Sequence, residues 1–211
     1  CKCMNLASWG APASKSYGSG SGDNTNEFEA WLTTKSNATV SFAITKPGPI
    51  TLEYLNGFDV ILLQDLRAWT FSADEIAAFQ QWIGEGGGVM ALSGYFSDDA
   101  LEINNTNALL SNSGMSLLAT EVPGQSCSDA AAIAGSTTLC PNSKASATGK
   151  CYCWGNSLPL TEWNPDQPTI KDSLTAVGAF RGRAVDPGTG TVVVSYGGTP
   201  VGATSVVGTG K

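Results

Sequence analysis

At 211 residues the chain suits one sizeable core and is short for two, and its formal charge of −7 argues against a nucleic-acid partner, which would want a basic face. Charged residues are only 14% of the total, so the surface relies on Ser, Thr, Gly and Asn, a balance common in exported proteins. No apolar run approaches the roughly 20 residues of a membrane span, and the scattered Lys and Arg form no polybasic patch.

In chain order, Met4 to Trp9 reads as a first strand closed by Gly10, followed by a Ser/Gly/Ala-rich loop over 11–22. Asp23 or Thr25 caps a helix that places Phe28, Trp31 and Leu32 on one face. Thr39 to Ile44 is a second, more peripheral strand. Pro47 to Pro49 breaks the chain, and Ile50 to Asn56 makes about two helical turns, with Leu52 and Leu55 inward and Gly57 as the stop. Val60 to Leu63 is a continuous apolar run, as expected of a strand buried on both faces. Ser72 and Glu75 form a capping box ahead of Ile76, Phe79 and Ile83, and Gly84 with 86–88 ends that helix. Val89 to Leu92 is the next buried run. Strand, crossover helix and strand make a right-handed parallel unit over 56–95, whose strands end at Gln64-Asp65 and Ser93-Gly94-Tyr95. Ligands of such sheets bind beyond the carboxyl ends of the strands.

Asn104 to Asn112 reads as a short helix and Met115 to Leu118 as a strand. Periodicity is then lost from Pro123 to Pro168, a stretch holding four of the six cysteines and expected to be a disulfide-pinned loop insertion of about 123–168. Val177 to Phe180, Thr191 to Val194 and Val201 to Val207 are β-like. The whole predicts a single α/β domain over 1–211, a flavodoxin-like doubly wound and mainly parallel sheet in the order 2-1-3-4, extended by the C-terminal strands.

Phe58 to Leu63, the Ser-capped helix, Trp82 to Gly88, Asn107 to Leu110, Phe180 to Arg183 and Thr191 to Ser195 carry a likeness. Together they resemble the class I glutamine amidotransferase-like superfamily, in its secreted, trehalose-utilisation-protein-like bacterial branch. The resemblance covers about 4 to 118 and 170 to 211. It implies a nucleophile turn at 91–95, where Ser93 stands in place of the family's Cys. The chain has no histidine, so the usual base for a Ser or Cys nucleophile is missing and triad chemistry is not expected.

Several side chains are candidates for a site. Asp65, Asp98, Asp99 and Glu102 lie near the strand ends; a pair of them could hydrolyse a glycosidic bond or hold Ca²⁺, while the plainer reading makes them helix caps and solvated loop residues. Trp9, Gln64, Asp65, Trp69, Ser93 and Tyr95 are the candidate ligand-binding set, a sugar-stacking platform if the rings are open and core cover if they are not. Arg181 and Arg183 suggest either an anion site or an internal ion pair. Cys1, Cys3, Cys127, Cys140, Cys151 and Cys153 are read as three disulfides of open pairing; the tight C-x-C spacing disfavours zinc.

No metal and no cofactor is expected. The reading is a non-catalytic exported or cell-surface domain, its signal peptide already removed, that binds a small molecule or carbohydrate or self-associates. The alternative is a carboxylate-based hydrolase acting on carbohydrate. Cys1 as a lipidated residue is opposed by its direct entry into the first strand, and the turn-like ending 208–211 suggests a processed piece of a longer chain.

Overall fold

The computed structural model describes residues 4–10, 34, 38–93, 100–122, 157–160, 162–167, 177–180 and 183–208. The chain divides into two compact units.

The first unit is built on four parallel strands, β1 (Asn5–Trp9), β2 (Thr39–Ala43), β3 (Val60–Leu63) and β4 (Gly88–Ala91). Their order is β2-β1-β3-β4, as the sequence predicts, with Leu6 opposite both Val40 and Val60, and Val60 opposite Gly88. Central β3 consists only of Val, Ile and Leu, and Ile61, Leu62 and Leu63 are buried, because a central parallel strand is covered on both faces.

Helix α1 (Leu52–Leu55) is capped by Thr51, whose hydroxyl accepts from the Tyr54 amide, and it buries Leu55. Helix α2 (Ala73–Gly84) opens on the expected capping box. Ser72 Oγ accepts from the Glu75 amide at 3.2 Å, and the Glu75 carboxylate accepts from the Ser72 amide at 2.8 Å. At its other end Gly86 takes φ +110, and the Gly87 amide returns to the Trp82 carbonyl. A Cβ at Gly87 would stand 2.3 Å from the Trp82 ring, so this turn needs glycine for space as well as for conformation. Helix α3 (Ala100–Leu109) begins four residues before the expected Asn104.

One face of the sheet forms the main core. Ala7, Trp9, Ile61 and Leu63 meet Leu55 from α1, Phe79, Trp82 and Ile83 from α2 and Leu109 from α3. Full burial of a side chain such as Phe79 contributes about 2 kcal/mol, so this cluster dominates the stability of the unit. Gln80 ties α2 to α3 by donating to the Ala108 carbonyl and to Ser111 Oγ.

The second unit is antiparallel throughout its described strands. β5 (Ser116–Glu121) pairs with β9 (Arg183–Asp186), and β6 (Ser157–Leu160) with β8 (Val177–Phe180). β7 (Glu162–Trp163), β10 (Thr191–Tyr196) and β11 (Thr199–Thr204) form a third sheet in the order β11-β10-β7. The C-terminal strands therefore do not extend the parallel sheet, contrary to expectation. The proposed insertion also ends in two strands, β6 and β7, which the sequence reads as loop and which pair with β8 and β10, two of the segments it reads as β-like. The β10–β11 hairpin turns through Gly197 and Gly198 at φ +57 and +77, and both amides donate to the Glu162 carboxylate, at 2.8 and 3.0 Å. Val122 and Ala184 form a small core with Leu160, Tyr196 and Val201 against them.

Candidate functional site

The carboxyl ends of the parallel strands carry Trp9-Gly10 on β1, Gln64-Asp65 on β3 and Leu92-Ser93 on β4. Gly10, at φ +103, lies so close to β3 that a Cβ there would come 2.6 Å from the Asp65 carbonyl oxygen. The two central strands thus finish against each other's backbone, and their end is closed tightly.

The segment after β3 is held at every turn. Asp65 is buried, and its Oδ1 accepts from the Arg67 amide at 3.1 Å and from Arg67 Nε at 2.8 Å. Asn105, from α3, donates to both the Leu66 and Trp69 carbonyls at 2.8 Å. The Trp69 indole donates to the Ile44 carbonyl, and Lys46 Nζ donates to the Thr70 carbonyl at 2.7 Å. Lys46 also pairs with Glu75 and lies over the Phe71 ring.

Glu75 does more than complete a capping box. Its Oε1 also accepts from the Ile50 amide at 2.9 Å, so one carboxylate joins α2 to the segment ahead of α1. Burial by itself would raise the Glu75 carboxyl. The Lys46 hydrogen bond, the Ser72 and Ile50 amides and the Lys46 charge outweigh it and hold the carboxyl down at about 2. At neutral pH Glu75 is an ion fixed on all sides, unsuited to general acid or base work. Burial pushes the Tyr54 phenol above its ordinary 10.0, with the Trp9 indole partly opposing the shift, so this hydroxyl is no base either.

Of the proposed aromatic platform, the two described indoles are buried. Trp9 is 0% and Trp69 2% exposed; their ring centroids lie 5.5 Å apart, and Phe79 stands 5.8 Å from Trp9. These faces are used inside the core and offer nothing to a sugar. The indoles are largely apolar bodies at the tightly packed ends of the central strands, and the hydrophobic effect draws them into the core. Gln64 is half-buried, with its amide 3.5 Å from Ser8 Oγ. Ser93 Oγ is buried and has no hydrogen-bond partner among the described residues. Tyr95, Asp98, Asp99, Arg181 and all six cysteines lie outside the described residues. Glu102 falls within α3. Arg183 is buried and donates to the Ala119 carbonyl at 2.6 Å. Among the described residues no group of three His, Cys, Asp or Glu side chains could hold a metal ion, and no helix is long and apolar enough to cross a membrane.

β4 departs most from expectation. The sequence reads Val89 to Leu92 as a run buried on both faces, yet only Val89 and Ala91 pack against the core. Met90 is 49% and Leu92 45% exposed, two residues apart and so on the same face of the strand. The amides of Gly88 and Leu92 donate to the carbonyls of Asp59 and Leu63, on the β3 side. By the alternation of a parallel ladder, the amides of Val89 and Ala91 point the other way, and no described strand pairs with that edge.

The fold is shared with a ThuA-like protein. A solved structure from Bacteroides uniformis ATCC 8492, described as ThuA-like, superposes with a TM-score of 0.50 at 13% identity, covering 100% of this chain and 76% of that one. Identity at this level shows a common fold and transfers no residue's role. No protein-family model matches the chain, and no curated protein does.

Sequence reasoning misses Arg67, Lys46 and Asn105, the residues that lock the segment after β3. Arg67 has a local signal, since a cation two residues after an acid in a turn can fold back on it. Lys46 and Asn105 have none, because they reach this segment from 24 and 36 or more residues away.

Proposed function

We propose that the chain is a non-catalytic exported domain that acts by association through the open edge of its parallel sheet. The observation supporting this is β4 itself, where outward amides at Val89 and Ala91 adjoin the exposed side chains of Met90 and Leu92. Soluble proteins guard a sheet edge with charge, proline or a bulge, because an unguarded edge templates another strand. Here no charged residue and no proline occurs between Glu85 and Asp98. In a chain of net charge −7, this neutral stretch is where two copies can meet without bringing like charges together. The occupant is a second copy, its β4 added across a two-fold axis.

Carbohydrate hydrolysis is the weaker reading, because Asp65 is buried and held twice by Arg67. Sedimentation velocity over rising concentration tests the association: a dimer that Met90→Lys abolishes is expected, and a monomer at all concentrations sinks it. A panel of chromogenic glycosides tests the chemistry separately, since turnover lost in Asp65→Asn would overturn the non-catalytic reading. Export carries its own check. Three disulfides predict that the unreduced protein resists thiol alkylation at all six cysteines, whereas six reactive thiols would refute them.

A further inference from the structure

We draw no further inference here: the strongest candidate, the groove of about 520 Å³ between the N-terminal ends of α1 and α2, lined by Pro49, Ile50, Leu52, Ser72, Asp74 and Ala78, carries nothing because its one buried charge, Glu75, is already held by Lys46 and nothing in the structure shows what covers the rest.

Discussion

Two neighbouring strands of one sheet end in opposite ways. Beyond β3, Asp65, Trp69 and the carbonyls of Leu66 and Thr70 are each matched by a partner from Arg67, Ile44, Asn105 or Lys46. Along β4, apolar side chains stay in water, the outer amides meet no described strand, and Ser93 Oγ is buried without a partner among the described residues. A fully matched polar network rigidifies its segment and leaves little with which to bind anything else. The position where a doubly wound sheet ordinarily holds its ligand is, at β3, used for stability. What remains open lies one strand over, on the sheet's edge.

Removing a ring at the closed end should have the largest effect. Trp69→Ala deletes a buried indole and leaves the Ile44 carbonyl without its donor, which should cost about 3–5 kcal/mol in urea unfolding followed by far-UV circular dichroism. A loss below about 1 kcal/mol would mean that the segment after β3 is not held as described.

Glu75→Gln should follow, at about 2 kcal/mol, because it removes the charge that Lys46 faces while keeping the side chain's shape. It also has a pH signature. The folded carboxyl is held at about 2, below its ordinary 4.5. A depressed carboxyl contributes stability that is complete above its unfolded value and is lost as pH falls from about 4.5 through about 2. Over that window the gap between wild type and Glu75→Gln should close. A gap independent of pH there would assign the effect to shape and not to charge.

Much of the first unit is legible in the sequence because its signals are local. The β3 run, the Ser72–Glu75 capping box and the glycines after Trp82 each act within a few residues, and together they fix strand, helix and return. The strand order follows from the strand–helix alternation, which is that of a doubly wound sheet. The fate of Trp9 and Trp69 is not legible, since a Trp at a strand end serves equally as an open platform or as core cover. Only the convergence of α1 and α2 on the sheet decides it. The exposure of β4 is hidden for a related reason: an apolar run states that the strand can be buried, and whether a neighbour arrives depends on chain elsewhere. In the second unit, β6 and β7 lie in a stretch the sequence reads as loop, and only their pairing with β8 and β10 makes them strands.

A local signal can be tested by itself. Ser72→Ala removes the hydroxyl that accepts from the Glu75 amide and should cost about 1 kcal/mol, the usual value of an N-cap. Ser72→Thr should recover most of it, since the oxygen is kept. If neither substitution moved the transition, Glu75 and Lys46 alone would be holding the start of α2.

Met90→Lys should have the smallest effect on stability and the most informative one. Met90 faces water for about half its surface, so a long flexible cation at the same position, its stem lying along the strand, should shift the unfolding midpoint by no more than about 0.5 kcal/mol. Leu92→Lys should behave alike, being two residues along on the same face. The contrast with Trp69→Ala, on the adjoining loop, is the point of the experiment. If Met90→Lys destabilised the isolated monomer by several kcal/mol, β4 would be covered within its own chain and there would be no free edge to offer a second copy. If the monomer is untouched while association is lost, those side chains are kept apolar for a contact that forms only between chains.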